Sequence, residues 1–390
     1  MWAVVLFTYV AAPRHSSRSF LTRIWIWTIA FRLVGLFAEP IFEDDWYRYL
    51  WDGRTLVTEG NPYLHAPDEY FARGDLPERF ERILDNINYP DVPTIYGPVC
   101  QYAFAAAYLV APGTLWPLKV LLVGADLLIV LCLFRMTIAR NVLLYAWCPL
   151  AIFETAFNAH PEVLGVAGAI VALCALQSGR AVTSLIAIAV ALAARVHAVL
   201  LVPFLLTKVP AKRWWVVAAS IAFLYVPFWA QGLAADWNGL RAFLGHWEFN
   251  STIFAAAANL LGSGPAKLVC GAAFAVLYAL ILVRWWRAAD MKVTIPRGDW
   301  IYGIFFLLSA VVNPWYMLWL LPFVALFPSV TGIAACMVVT LSYAHGLNLN
   351  EAGLAPYEHP WWVRPAEIAA VCLGLGVDWF RRSTAKGETG

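Results

Sequence analysis

Long apolar stretches, separated by short polar segments, make up most of the chain. A membrane helix needs about 20 consecutive apolar residues to cross the hydrocarbon core. Several stretches are shorter than this and end at prolines or polar motifs, which predicts broken or re-entrant helices lining a cavity. We therefore predict an all-α, polytopic membrane protein with about 10–12 membrane helices. The stretches are 20–40, 97–134, 141–157, 161–177, 181–207, 212–230, 265–286, 300–313, 315–327, 330–345 and 361–380.

Two stretches do not fit a simple series of crossings. Residues 97–134 are broken at Pro112-Gly113 and must cross an odd number of times, so we expect one of the two helices to dip or lie flat. Residues 181–207 are too short for two crossings, which predicts a re-entrant pair bent near Arg195. The N-terminus is too short to span and is interpreted as the end of a membrane helix. Without an internal repeat or linker, residues 1–390 are expected to form one domain.

The composition excludes a soluble globular protein. The chain is 62% hydrophobic and 13% charged, whereas soluble domains carry about 25% charged residues. The seven cysteines are scattered singly through apolar segments without a CxxC pair, which argues against a disulfide framework or a zinc site. We expect membrane lipids as partners and no nucleic acid.

Basic residues predict how the chain lies in the membrane. By the positive-inside rule, basic clusters mark the cytoplasmic side, and the polar segments between them face the other side. The longest of these segments, 43–95, is then an extracytoplasmic loop. The basic clusters lie at 14–23, 135–140, 208–213, 284–297 and 381–382, with Arg180 between them.

The loop 43–95 contains a pattern typical of an amphipathic helix. Residues 67–87 place four apolar side chains on one helical stripe, which predicts a helix lying on the membrane surface. Irregular loop structure is the alternative. The stripe consists of Phe80, Ile83, Leu84 and Ile87.

Three consecutive carboxylates, Glu43, Asp44 and Asp45, begin this loop. Adjacent like charges disfavour ionisation of at least one member, and desolvation near lipid raises a carboxyl pKa further. A carboxylate of raised pKa is suited to take a proton from a hydroxyl group. The alternative is an acidic helix end paired with Arg48 or Arg54.

The residues around the acidic cluster favour a binding site over a simple helix end. Hydroxyl-bearing aromatics, amides and carboxylates commonly line sites for carbohydrates or lipid headgroups, and the prolines of the 88–98 segment stiffen its backbone. The candidate substrate-binding residues in this region are Arg48, Tyr49, Asp52, Asn61, Tyr63 and Tyr96.

Three strings in the loop resemble the first extracytoplasmic loop of GT-C superfamily glycosyltransferases. They are D-x-Y-R-Y-x-W-D-G-R from Asp45 to Arg54, G-N-P-Y from Gly60 to Tyr63, and Y-P-x-x-x-x-I-Y-G-P from Tyr89 to Pro98. "FNAHPEVL", "NPWYMLWLLPF" and, more weakly, "HWEFNSTIF" (246–254) are similar to later elements of the same family. The branch most similar is that of the bacterial polyprenyl-phosphate-mannose-dependent mannosyltransferases.

This resemblance implies a GT-C-like fold and sugar transfer at the extracytoplasmic face of the bacterial inner membrane. The donor would be a sugar on a polyprenyl monophosphate, with mannose suggested by the branch. The acceptor would be a glycan, a glycolipid or a protein. The family's catalytic aspartate maps to Asp45, with Asp44 second because the two are adjacent. An activated hydroxyl would displace the lipid phosphate in one step and invert the anomeric centre.

Polar residues in later apolar segments are candidates for substrate contacts. Arg195 and His197 interrupt "ALAARVHAVLLVPF", where an unpaired charge is costly and usually functional. Arg195 is the first candidate for the donor phosphate, since a guanidinium binds phosphate well; a water-facing arginine at a helix end is the alternative.

His160 and Glu162 flank Pro161 between two apolar segments. They could contact substrate, serve the structure, or bind a divalent metal with a third ligand such as His345 or His359. Their spacing carries no metal-ligand signature, so no metal or cofactor is assigned.

Asn250, Trp315 and Tyr316 complete the candidate substrate-binding residues. The two aromatic rings could form a wall against which a sugar stacks, or could be ordinary aromatics of the membrane interface.

Two other classes of function remain open. A secondary transporter could use the carboxylates to bind a coupling ion, but transporters place such groups at mid-membrane and show paired repeats. A non-catalytic envelope-assembly protein would not need the cluster of aspartate, tyrosine and arginine.

Overall fold

A computed structural model of the chain describes residues 1–13, 17–229, 247–288, 295–349 and 353–387. The structure is 74% helical, and the described ranges form 19 α-helices and no β-strand. The prediction of an all-α, polytopic protein is confirmed.

The chain divides into two compact units, each assembled from separate stretches of sequence. The loop unit comprises Ile29–Cys132 and Ile152–Trp247, and the C-terminal unit comprises Met1–Thr28, Leu133–Ala151 and Glu248–Gly390. That residues 1–390 act as one domain stays a prediction.

Each helix belongs to one of the two units, except that α2 (Arg18–Leu36), α6 (Trp116–Met136) and α8 (Pro149–Ile152) contribute to both. The loop unit contains α3 (Trp46–Glu59), α4 (Glu78–Asp85), α5 (Pro98–Val110), α9 (Glu162–Gln177), α10 (Ala181–Ala194), α11 (Val202–Leu206) and α12 (Trp215–Trp229). The C-terminal unit contains α1 (Trp2–Ala11), α7 (Ala139–Ala146), α13 (Ile253–Leu261), α14 (Ser263–Arg287), α15 (Gly298–Leu308), α16 (Leu321–Leu326), α17 (Val330–Val338), α18 (Gly346–Leu349) and α19 (Val363–Gly387).

Three of the described helices, α2, α6 and α14, are long and apolar enough to cross a membrane. Eight further apolar helical segments are only 10–17 residues long, as expected for helices interrupted by prolines and polar motifs. The number of crossings stays a prediction.

The two stretches that do not fit a simple series of crossings, 97–134 and 181–207, are interrupted where the sequence predicted. Between α5 and α6 the chain turns at Pro112-Gly113, with Gly113 at φ +69°. Helix α5 has 13 residues, or about 20 Å at 1.5 Å per residue, which is less than the hydrocarbon core of about 30 Å. Helix α10 ends at Ala194, and Arg195 is extended at φ −149° and ψ 135°. A 3-10 segment, Val196–Leu201, follows before α11.

The amphipathic helix of the loop is present but differs from the prediction in length and in what it contacts. Helix α4 covers residues 78–85 instead of 67–87, and Pro67–Tyr70 forms a separate 3-10 turn. The apolar stripe is buried in a cluster with Leu50 and Trp51 of α3 and with Tyr70.

The expectation that this stripe lies on lipid is therefore corrected. Each buried side chain of this size contributes roughly 1.5–3 kcal/mol, and α3 supplies the apolar surface that the membrane was expected to supply. The cluster anchors the helix that carries the acidic residues at its beginning.

Candidate functional site

The acidic cluster lies at the beginning of α3. Asp45 is the N-cap residue, and its carbonyl accepts a hydrogen bond of 3.0 Å from the amide of Arg48. Glu43, Asp44 and Asp45 are half-buried. The amide groups of the first helical turn favour negative charge here, so the fold tolerates three adjacent carboxyl groups at this point.

The two neighbours of Asp45 hold protons more tightly than ordinary carboxyl groups. Burial raises the pKa of Asp44 to about 6, with a further contribution from the charge of Asp45. Burial also raises the pKa of Glu43 well above its usual value, followed by the charges of Asp45 and Glu154. Desolvation and like charges are the causes expected from the sequence.

Asp44 and Asp45 have different partners. Asn88 donates a hydrogen bond from Nδ2 to Oδ1 of Asp44. The next residue, Tyr89, has a φ of +52°, which is uncommon for a residue with a side chain. Asp45 instead accepts a hydrogen bond of 3.4 Å at Oδ2 from the hydroxyl of Tyr96.

Tyr96 brings the acidic cluster together with Arg195. Cζ of Arg195 lies 4.4 Å from the centre of the Tyr96 ring, a cation–π distance. The ring of Tyr49 packs edge-on against the same ring at 5.2 Å, and the hydroxyl of Tyr63 donates to the Tyr96 carbonyl at 2.8 Å. The tyrosine therefore links the carboxylate and the guanidinium through one side chain.

Arg195 forms an ion pair with Glu162, with 2.6 Å between Nη2 and Oε1. The Glu162 side chain is fully buried, whereas 13% of the Arg195 side chain is exposed. Because Arg195 is extended at the break after α10, its side chain leaves the helix there. A buried carboxylate needs such a counter-charge, and the exposed part of the Arg195 side chain is accessible to a further anion.

Gly97 allows the Tyr96 segment to approach this helix break. A Cβ atom at residue 97 would lie 2.2 Å from the carbonyl oxygen of Ala193. Cys100 extends the same contact, with its Sγ 3.5 Å from the carbonyl oxygen of Ala194. The close packing fixes the position of Arg195 relative to Tyr96.

Arg48 and Asp52 connect α3 to the segment 92–101. Arg48 donates to Oδ1 of Asp52 at 2.8 Å and to the carbonyl of Val92 at 2.9 Å. Oδ2 of Asp52 accepts from Thr94 at 2.5 Å and from Gln101 at 2.9 Å. Since both carboxylate oxygens already have partners, this network positions the loop; substrate contact by Arg48 or Asp52 stays a prediction.

The Gly-Asn-Pro turn is held against α12. Oδ1 of Asn61 accepts from the amide of Tyr63 at 3.0 Å, and Nδ2 donates to the carbonyl of Phe228 at 3.4 Å. The rings of Tyr63 and Phe228 pack edge-on at 5.1 Å.

Glu154 is a residue that the sequence interpretation missed. It is fully buried in a π-helical turn, Phe153–Phe157, and its Oε2 lies 2.9 Å from Nδ1 of His160. Ala159, between them, has a φ of +62°. An ionisable residue inside an apolar stretch was the available signal. His160 thus contacts Glu154, while Glu162 contacts Arg195. The remaining candidate of this region, His197, is half-buried two residues after Arg195.

The remaining candidates belong to the C-terminal unit. Asn250 is buried and donates from Nδ2 to Oε1 of Glu367 at 3.1 Å. Trp315 and Tyr316 are buried in the 3-10 segment Pro314–Trp319. The first residue of "HWEFNSTIF", His246, lies outside the described residues. Across the described ranges, no three His, Cys, Asp or Glu side chains form a group that could hold a metal ion.

Comparison with known proteins identifies the family. The family model described as alpha-(1->6)-mannopyranosyltransferase, N-terminal domain, matches residues 1–211. No curated protein and no solved structure matches the chain. The match covers more than half of the chain, including the acidic cluster, Tyr96 and Arg195. The chain belongs to this family of GT-C mannosyltransferases and is a membrane glycosyltransferase.

Proposed function

We propose that this protein transfers mannose from a polyprenyl-monophosphate donor to a hydroxyl group of an acceptor glycan. The observation that carries the proposal is the arrangement around Tyr96, which contacts Asp45 through its hydroxyl and Arg195 through its ring. One side chain, that of Tyr96, therefore contacts both the residue that we propose as the base and the residue that we propose as the phosphate ligand. Transfer of a sugar from a lipid phosphate requires both.

Asp45 is the proposed general base. It removes the proton of the acceptor hydroxyl as the oxygen attacks the anomeric carbon of the donor sugar. The carbon–oxygen bond to the phosphate breaks, and the electron pair leaves with the polyprenyl phosphate. A correctly placed general base contributes about 10²–10⁴-fold to such a rate.

Asp44 is the weaker candidate for this role. Its Oδ1 accepts from Asn88, and its pKa of about 6 leaves part of the population protonated near neutral pH. Asp45 also shares its tyrosine partner with Arg195, so a hydroxyl bound at Asp45 lies near the group proposed to hold the phosphate.

Arg195 is proposed to hold the donor phosphate. Charge builds up on the phosphate oxygens as the bond to the sugar breaks, and a fixed guanidinium stabilises this charge. The ion pair with Glu162 fixes the position of Arg195, and the exposed part of its side chain remains accessible to the donor.

The anomeric configuration of the product determines the configuration that the donor must have. The family is described as forming an alpha-(1->6) linkage. A single displacement inverts the anomeric carbon, so an alpha product requires a beta-linked sugar phosphate. The acceptor group is then a primary hydroxyl at carbon 6 of a sugar.

The proposed location of this chemistry is the extracytoplasmic face of the bacterial inner membrane. The basic clusters on both sides of segment 43–95 in the sequence support this orientation. A cysteine introduced at Asp68 should react with a membrane-impermeant thiol reagent from outside the cell, and labelling only from the cytoplasm would contradict the topology.

Transfer assays with the full-length protein in lipid nanodiscs test the function. We expect labelled mannose to pass from beta-mannosyl polyprenyl phosphate to alpha-1,6-mannobiose, giving an alpha-(1->6)-linked trisaccharide. The alpha-anomeric donor and a nucleotide-linked mannose are the matched controls and should be inactive. Equal transfer from the nucleotide donor, or a beta-linked product, would refute the donor and the inversion.

A further inference from the structure

Four aromatic rings meet in the C-terminal unit, beyond the residues matched by the family model. The ring of Phe249 lies 4.9 Å from that of His359, 6.0 Å from that of His345 and 6.3 Å from that of Tyr357. The Phe249 amide donates to the carbonyl of Ala310 at 3.0 Å, and its carbonyl accepts from Val312 at 2.9 Å. Backbone hydrogen bonds therefore fix Phe249 at the centre of the group.

Asn250, directly after Phe249, has an unsatisfied acceptor. Its φ is +47°, a conformation that asparagine tolerates better than most residues. Nδ2 donates to Glu367, but Oδ1 is buried and has no hydrogen-bond partner in the described part of the chain. A buried acceptor without a donor is costly, and such groups in native proteins call for an explanation.

His359 provides a second unsatisfied acceptor. Nε2 lies 3.1 Å from the carbonyl oxygen of Ser342. A carbonyl can only accept, so Nε2 carries the proton and Nδ1 is an acceptor. Burial lowers the pKa of His359 to about 4, which keeps the ring neutral at pH 7. Nδ1 is buried without a partner among the described residues.

His345, in the same group of rings, has a hydrogen-bond partner at each ring nitrogen. Its Nδ1 lies 2.8 Å from the carbonyl oxygen of Pro356, and its Nε2 lies 3.1 Å from Nδ2 of Asn348. Both of its nitrogens have partners, so the open hydrogen-bonding capacity belongs to His359 and Asn250.

These features select one class of ligand. Both open atoms are acceptors, so the ligand must donate hydrogen bonds, and phosphate or carboxylate groups are unsuitable. The Phe249 ring favours a ligand with an apolar face. A pyranose has hydroxyl donors around its edge and carbon-bound hydrogens on its face.

We propose that Asn250, His359 and the Phe249 ring bind a neutral pyranose of the acceptor glycan. The identification of this sugar as part of the acceptor rests on the proposed glycosyl transfer, whereas sugar binding itself does not. The site adds Phe249 and His359 to Asn250, which the sequence had suggested as a substrate contact.

Direct binding measurements test the proposal without turnover. The probe is alpha-1,6-mannobiose, titrated against full-length protein in nanodiscs by saturation-transfer NMR. Asn250→Gly keeps the backbone conformation and removes the side chain, while His359→Phe keeps an aromatic ring and removes both nitrogens. We expect each to weaken mannobiose binding about fivefold to tenfold, as loss of neutral hydrogen bonds does. His65→Phe, at an exposed histidine of the loop unit, is the control and should bind as the wild type.

Kinetics then separate binding from a general structural role. Both variants should raise the KM for mannobiose by the same factor and leave the KM for the donor and kcat unchanged. Wild-type affinity in both variants, or no mannobiose binding to the wild-type protein, would overturn the proposal. An equal rise in donor KM would overturn it too, since the residues would then serve the fold. Failure of the Asp45 mechanism leaves the titration unaffected, so the two proposals fail separately.

Discussion

Asn88 donates a hydrogen bond to Asp44 and not to its neighbour Asp45, although the two carboxylates are adjacent in the chain. The contact joins residues 44 positions apart in the sequence. It gives the two aspartates different surroundings and accounts for why only one of them would act as the base.

Replacing Asn88 by alanine tests which of the two aspartates is the base. The test is the direction in which the acid limb of the profile of kcat/KM against pH moves. Loss of the hydrogen bond raises the pKa of Asp44 above its present value of about 6, so Asp44 stays neutral to higher pH. The neighbouring charges are Glu43 and Asp45 within the cluster, Glu154 facing Glu43, and Arg48 one turn later, paired with Asp52. With Asp45 as the base, one negative neighbour is lost and the acid limb of kcat/KM moves to lower pH.

With Asp44 as the base, the same limb would move to higher pH, which would contradict the assignment. Asn86→Ala is the matched control, because the Asn86 side chain caps only the exposed end of α4 through the Arg82 carbonyl. Its profile of kcat/KM against pH should coincide with that of the wild type.

Asp44→Asn should make the protein more stable at neutral pH. A carboxyl group whose folded pKa is about 6, against 3.8 ordinarily, binds more protons in the folded state. It therefore costs stability as pH rises through this interval. After allowance for solvent screening, we expect a gain of about 1–2 kcal/mol at pH 7.5. Thermal unfolding in detergent from pH 4 to 8 measures it; the gain should vanish near pH 4, and a gain constant with pH would show another cause.

Arg195→Ala should lose both thermal stability and donor affinity, and the two losses can be measured separately. It leaves the carboxylate of Glu162 buried without its counter-charge, which costs about 3–5 kcal/mol, and it removes the proposed phosphate ligand. In Arg195→Ala/Glu162→Gln the first cost is removed, so thermal stability should recover. Donor affinity should remain weakened about tenfold or more, the usual loss for a charged hydrogen bond.

A donor titration of the double variant decides between two roles for Arg195. If wild-type donor affinity returns together with stability, the arginine only neutralises Glu162. The single variant Glu162→Gln is the control, since it keeps the guanidinium and should keep most of the donor affinity.

Gly97→Ala should disturb the donor site through packing alone. The new methyl group would lie 2.2 Å from the Ala193 carbonyl, so the break carrying Arg195 must move, and we expect a loss of about 1–3 kcal/mol. Gly124→Ala in α6 has no atom within 4 Å of the new Cβ and should stabilise by up to about 1 kcal/mol. Equal thermal stability of the two variants would mean that the close approach is not required.

The sequence predicted features that depend on local pattern. An arginine within an alanine-rich segment indicated the break after α10, and Pro112-Gly113 indicated the break before α6. The acidic cluster was found because consecutive carboxylates are rare in so apolar a chain. In each case the physical cause lies within a few residues.

Features that depend on distant residues could not be predicted in this way. The stripe of Phe80, Ile83 and Leu84 showed which face of α4 is apolar, but not that α3 covers it instead of lipid. Nothing local indicates that Arg195 pairs with Glu162 or that Asn88 contacts Asp44. Glu154 was missed because its partner, His160, was considered with Glu162 and with His345 or His359, but not with Glu154.

The rate of sugar transfer in matched aspartate variants tests the central claim most directly. The full-length wild-type, Asp45→Asn and Asp44→Asn proteins should be compared with saturating beta-mannosyl polyprenyl phosphate and mannobiose, after donor binding is verified for each. We predict that Asp45→Asn lowers kcat at least about 100-fold with unchanged donor affinity, while Asp44→Asn retains most of the activity. Full turnover in Asp45→Asn, with loss of activity in Asp44→Asn, would contradict the account.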